Sequence, residues 1–149
     1  MEDIKKSDLE SLVRQILLEE LAKTDSSKKV SKSGVASIAL KSVDVRPEDR
    51  LDTGNANDSV YTRDLLSLEE SPRLGLGLMT MEETTFPWHL DYDEVDYVIE
   101  GQLDIIVGGE VMSAGPGELL FIPKGSDIKF SVKGKARFIY VTYPADWQS

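Results

Sequence analysis

Near the amino terminus, Leu9, Leu12, Val13, Ile16, Leu17 and Leu21 recur every three or four positions with charged residues between them. That spacing places them on one face of a helix, and Leu18 beside them widens the stripe. The pattern predicts one amphipathic helix over residues 1 to about 24, with Ser7 and Glu10 at the spacing of a capping box. A helix this short is marginal alone in water, so its apolar face requires something to pack against. "TDSSKKVSKSG" follows, and its polar, lysine-rich composition reads as a flexible linker over residues 25–34.

From Val35 the periodicity changes. Short alternating or β-branched runs, separated by Gly, Pro, Asp and Asn, take over: "SVYTRDLL", "RLGLGLMTM", "EVDYVIEG", "LDIIVGG", "ELLFIP", "DIKFSV" and "ARFIYVTY". "VGGEV" carries a two-residue hairpin signal between two of them. So many strands in residues 35–149 predict an all-β domain, an antiparallel sandwich or small barrel. No G-x-G-x-x-G or P-loop supports a nucleotide-binding α/β fold. In "EVDYVIEG" the period of two puts Glu94, Asp96 and Val98 on one face and Val95, Tyr97 and Ile99 on the other. If Glu94 points inward, the outward face is the more apolar, which predicts a partner chain over it and a homodimer.

Composition narrows the chemistry. The 149 residues contain no cysteine, which excludes disulfides, thiolate metal sites and cysteine nucleophiles. A net charge of −10 argues against nucleic acid and anionic membranes as partners. No apolar run is long enough to span a bilayer and the amino terminus is not a secretory signal, so a cytoplasmic location is expected. Residues 82–104 hold eight acids and no Lys or Arg, and the only histidine, His89, lies among them. Two inward carboxylates, Glu94 and Asp96, should raise one another's pKa, so that one holds a proton or a cation. Asp96 could instead accept hydrogen bonds from Tyr92 or Tyr140. Gly75 and Gly77, two apart on one strand face, leave room for a ligand or for an aromatic such as Phe121 or Tyr140.

"PWHLDYDEVDYVIEG" resembles the first motif of the cupins, H-x-H-x4-E-x6-G. His89, Glu94 and Gly101 fall on it and Pro87 replaces the first histidine. "GELLFIPKGSDIKFSV" resembles the second motif through Gly117, Pro123 and Gly125, with Ile128 and Val132 in place of its histidine and asparagine. The resemblance implies a jelly-roll cupin barrel from which two of four metal ligands are missing, so no tightly bound transition metal is expected. "PWHLDYDEVDYVIEG", "FIPKGS" and "YPADWQ" together are similar to the EutQ family of ethanolamine-utilisation proteins.

That family resemblance implies a bacterial microcompartment setting and an acetate kinase activity with Mg and ATP. It makes Glu94, Asp96, Tyr92 and His89 the candidate catalytic residues. Trp88, Phe121, Lys124 and Tyr140 become candidates for binding a small carboxylate and a nucleotide. Glu94 and Asp96 could hold Mg weakly through hard oxygen ligands. Arg73, Lys129 and Arg137 are further candidate phosphate contacts. A non-catalytic cupin that binds a small molecule or helps assemble the compartment is the alternative. The amino-terminal helix resembles segments that dock enzymes on compartment shells or on partner enzymes.

Overall fold

The computed structural model describes residues 5–25 and 27–148. The chain forms two compact units, Met1–Asp44 and Val45–Ser149.

In the first unit, α1 (Lys6–Asp25) carries the expected stripe. Leu9, Leu12, Val13, Ile16, Leu17 and Leu18 are 48–61% exposed. Residues 1–4 and the side chain of Leu21 lie outside the described residues. The carbonyl of Lys5 accepts from the amides of Asp8 and Leu9 (3.0 and 3.1 Å), so the helix starts upstream of Ser7. Ser7 therefore sits inside the first turn, and the Ser7–Glu10 capping box does not form. The stretch read as a linker also has structure. β1 (Lys28–Val30) pairs antiparallel with β2 (Ala36–Ile38). The Ser31 hydroxyl accepts from the Val35 amide at 3.0 Å across the connecting turn. Its Ser, Lys and Gly content is turn chemistry, which composition alone does not separate from a linker.

The second unit is built of β3 (Ser59–Asp64), β4 (Gly75–His89), β5 (Asp93–Glu100), β6 (Leu103–Val107), β7 (Glu110–Ala114), β8 (Leu119–Ile122) and β9 (Asp127–Tyr143). The main path is β3-β4-β9-β5-β8, and β6 joins β9 to β7. The runs "DIKFSV" and "ARFIYVTY" are one strand, β9. Its first half pairs with β6 and its second half with β5, while β4 runs alongside both halves. The β4–β9 register shifts between Glu82 and Thr84, where Glu83 has φ 43°. A bulge there bends both strands, so the same two strands serve both halves of the domain. Between β6 and β7, Val107 pairs with Glu110. Gly108 and Gly109 (φ 56° and 82°) make the two-residue turn, with both dihedrals in the region glycine tolerates.

The core lies between these halves. Val60, Met81, Phe86, Val98, Leu103 and Phe138 are at most 2% exposed. Along β5 the alternation is as the period of two requires: Glu94, Asp96 and Val98 are buried and Tyr97 is 43% exposed. On the outer surface of the same pair of strands, Leu119 and Phe121 of β8 are 63% and 65% exposed, opposite Tyr97 and Val95.

Candidate functional site

Six aromatic side chains surround a small pocket with about 10 Å³ of free space: Phe86, Trp88, Tyr92, Phe130, Tyr140 and Trp147. Phe86 and Trp88 share a face because they are two apart on β4. Phe130 is the register partner of Phe86, and their rings stack at 5.3 Å. Trp147, in the segment after β9, closes the ring of contacts against Trp88 (6.2 Å), Tyr92 (6.2 Å) and Tyr140 (5.7 Å). Two hydrogen bonds fix the polar edges: Trp88 Nε1 donates to Tyr92 Oη at 2.7 Å, and Tyr140 Oη donates to Asp64 Oδ1 at 2.8 Å. A Cβ at Gly77 would overlap the Tyr140 ring, so Gly77 serves packing against Tyr140, one of the two roles expected of the glycine pair, while Gly75 lies against Thr142 and Ala145.

One ionisable group lines this pocket besides the two tyrosines. Glu94 is 5% exposed and Asp96, two residues along β5, is fully buried. Glu94 Oε2 and both Asp96 carboxyl oxygens have no hydrogen-bond partner outside the pair, and Thr142 Oγ1 across from Glu94 has none either. The two acids hydrogen-bond each other, which requires a proton between them. Burial pushes Glu94 up to about 7, offset in part by the hydrogen bond from Asp96. Burial, then the charge of Glu94 and its hydrogen bond, hold Asp96 well above the carboxylate range. Asp96 is thus the proton donor and Glu94 the acceptor. Neither tyrosine reaches Asp96, because Tyr140 is directed to Asp64 and Tyr92 to Trp88. Both phenols are raised by burial first.

His89 stands apart from the pocket. Its side chain is 49% exposed, with Nδ1 at 2.6 Å from Asp127 and Nε2 at 3.0 Å from Asp91. The Asp127 hydrogen bond is the first cause of its raised pKa. The alternation on β4 turns Phe86 and Trp88 inward and Pro87 and His89 outward. The motif spacing from His89 to Glu94 crosses the turn at Leu90–Tyr92, and strand alternation does not carry through a turn. The positions facing inward therefore hold Phe86 and Trp88, not Pro87 and His89. Phe121 faces the opposite surface of the sheet, and Lys124 sits exposed in a turn where its backbone amide donates to Asp93 at 2.7 Å. Neither these two nor Arg73, Lys129 or Arg137 lines the pocket. Among the described residues no group of three His, Cys, Asp or Glu is arranged to hold a metal.

A second, open groove of about 670 Å³ shares Leu51 and Thr62 with the pocket. Arg46, Arg50 and Arg63 line it together with Glu48, Asp49, Asp52 and Asp64. The Arg50 guanidinium donates to the carbonyls of Asn55, Ala56 and Asp58 at 2.9–3.2 Å and so pins the loop that forms one wall. The Arg46 amide donates to Asp49 Oδ2 at 2.7 Å, closing a turn of 3-10 helix over Pro47–Asp49. The sequence reading missed this groove, and also Phe86, Phe130 and Trp147. The signal for the groove was "RPEDRLD", whose arginines interleave with acids, and for Trp147 the aromatic in "YPADWQ".

The family model described as "Ethanolamine utilisation protein EutQ" matches residues 4–149. The chain belongs to the EutQ family. A EutQ relative from Clostridioides difficile (strain 630), named acetate kinase EutQ, is 59% identical over 99% of this chain and 96% of its own length. The structure titled as the Clostridium difficile EutQ protein superposes with a TM-score of 0.79 at 64% identity, covering 80% of this chain and 88% of that one. At the level of fold alone, an RmlC-like cupin from Shewanella frigidimarina NCIMB 400 matches with a TM-score of 0.53 at 16% identity, over 63% of this chain and 84% of its own. The barrel has the cupin fold.

Proposed function

We propose that this chain is an acetate kinase of ethanolamine utilisation, converting acetate and ATP to acetyl phosphate and ADP. The observation that carries the reading is its 59% identity, over nearly the whole of both chains, with a relative named for that activity. Size divides the ligand sites. The aromatic pocket has free space of about 10 Å³, room for about one water, whereas the adjoining groove, at about 670 Å³, has room for a nucleotide. Phosphoryl transfer needs positive charge on the phosphates, and Arg46 and Arg63 in the groove offer it. An acetate oxygen attacks the γ-phosphorus, the bond to the β–γ bridging oxygen breaks, and ADP leaves without net proton uptake.

Magnesium fits the groove better than the buried acids. It is commonly held by one or two carboxylates plus phosphate oxygens, and Asp52 and Asp64 supply such carboxylates. There it would neutralise charge on the transferring phosphoryl group. Glu94 and Asp96 share a proton in a confined apolar pocket, which suits a hydrated dication poorly. In the test, purified protein is assayed for acetyl phosphate formation. Arg46→Ala and Arg63→Ala should raise the KM for ATP, and activity unaffected by either variant sinks the groove assignment. Loss of activity on repurification from a host lacking other acetate kinases favours the non-catalytic alternative.

The apolar outer surface at Tyr97, Leu119 and Phe121 supports a homodimer formed through the sheets. The exposed stripe of α1 supports docking on a microcompartment shell or on partner enzymes. No helix among the described residues is long and apolar enough to cross a membrane. A reporter fused to residues 1–24 should collect in compartments, and a diffuse reporter refutes the docking role.

A further inference from the structure

The sole histidine ends β4 with a carboxylate on each ring nitrogen: Asp127 Oδ1 at 2.6 Å from Nδ1 and Asp91 Oδ1 at 3.0 Å from Nε2. Ionised carboxylates only accept hydrogen bonds, and a neutral imidazole has a single N–H. Only the imidazolium, with two N–H groups, satisfies both contacts at once. We propose that His89 is a pH-operated latch, which as imidazolium ties Asp91 and the Tyr92 end of its turn to the start of β9, and which releases Asp91 on losing a proton. The latch works without ATP or acetate and stands apart from phosphoryl transfer.

The backbone explains what is held and what is freed. Leu90 opens the turn between β4 and β5, and its amide donates to the Ser126 carbonyl at 3.0 Å. The Gly125 amide donates back to the Leu90 carbonyl at 2.7 Å, so Leu90 stays anchored whatever the ring does. Asp91, the next residue, is joined to β9 through the ring alone of these contacts. A neutral ring keeps its N–H on the shorter contact, to Asp127, and turns the Nε2 lone pair toward the Asp91 carboxylate. That contact changes from attraction to repulsion. Tyr92 follows directly, lines the pocket beside Glu94, and accepts from Trp88 Nε1 at 2.7 Å. Release of Asp91 therefore loosens one wall of the aromatic pocket.

The charged groups facing the ring are Asp127 from β9 and Asp91 from the turn. Lys129 lies further along β9 opposite Pro87, and Lys124 and Asp93 are joined to each other by a backbone bond in the adjoining turns. None of these last three is among the causes that shift the ring. The Asp127 hydrogen bond, opposed by burial and aided by the Asp127 charge and by Asp91, raises the ring above its ordinary 6.5. The latch is thus fully shut below the ordinary 6.5 and opens as pH rises through the ring's own, higher value. Both carboxylates are more than four-fifths exposed, so the effect is graded rather than all-or-none.

A single histidine makes the ring signals of the intact protein unambiguous by NMR. They are followed from about pH 5 to about pH 9, together with the hydrogen-exchange protection of the Trp88 indole N–H that bonds Tyr92. The ring midpoint should lie above 6.5, and indole protection should fall several-fold across that midpoint. His89→Gln, which cannot become cationic, should show the low protection at every pH and match the wild type only at the alkaline end. Asp91→Asn can accept from an N–H or donate to a ring lone pair, so it should stay latched, remove the trend and lower the ring midpoint. Ionisation of Glu94 would act on the pocket in all three proteins, so a trend that survives in His89→Gln overturns the proposal. A ring midpoint at or below 6.5 overturns it, and so does indole protection that is flat across the midpoint in the wild type.

Discussion

Replacing Glu94 by Gln should stabilise this protein at alkaline pH. Glu94 is 95% removed from solvent and titrates at about 7, against an ordinary value of 4.5. An acid whose folded pKa is raised binds more protons folded than unfolded, so stability falls as pH rises from the unfolded to the folded pKa. Below about pH 4.5 both states are protonated and no penalty applies. Above about pH 7 the full shift is felt, and it amounts to about 3 kcal/mol at 1.36 kcal/mol per unit. Glutamine keeps an oxygen to accept the Asp96 proton but cannot ionise. Thermal melts of the two proteins should therefore coincide near about pH 4.5 and diverge above about pH 7, with the variant higher by roughly 10 °C. Glu110→Gln, at an exposed position, controls for relief of the overall negative charge and should shift the melt little. A variant that melts lower than wild type at about pH 8, or a wild-type melt flat between about pH 5 and 8, would refute the buried, proton-sharing pair.

The packing of the pocket gives further expectations. Gly77→Ala should displace the Tyr140 ring, break its hydrogen bond to Asp64 and cost about 1–3 kcal/mol in urea melts. Trp88→Phe removes the donor to Tyr92 Oη while keeping an aromatic ring, and about 1 kcal/mol of stability should go with it. His89→Gln should leave acetyl phosphate formation unchanged, since the imidazole lies outside the pocket and the groove. A chain comprising 45–149 should keep a cooperative melt by circular dichroism, because that unit contains the whole aromatic core.

Local patterns were legible and tertiary ones were not. The shared face of Glu94, Asp96 and Val98 followed from a period of two within one strand, its inward direction from the cupin-like motif, and the β6–β7 hairpin from Gly108 and Gly109. The stripe of α1 followed from helical spacing. The phase of His89 was not legible, because the Leu90–Tyr92 turn separates it from Glu94. The continuity of β9 was hidden by "VKGKA", which reads as a break and is instead the partner of the bulge at Glu83. Arg46, Arg63 and Asp64 meet only because Arg50 forms a bridge with Tyr61, which brings the preceding segment beside β3. Trp147 reaches Trp88 across 59 positions of chain, further than any local pattern extends.

The long pairing of β4 with β9 also sets an order on how the domain forms. Its innermost register pair is His89 with Asp127 and its outermost is Gly75 with Thr142. Closing the shorter loop loses less chain entropy, so pairing is expected to start at the His89–Asp127 end, across the segment that carries β5 to β8. His89 and Asp127 are also joined through their side chains at 2.6 Å, on the exposed surface of that first pair. An imidazole that lies outside the pocket thus sits at that end of the ribbon, as a clasp on it.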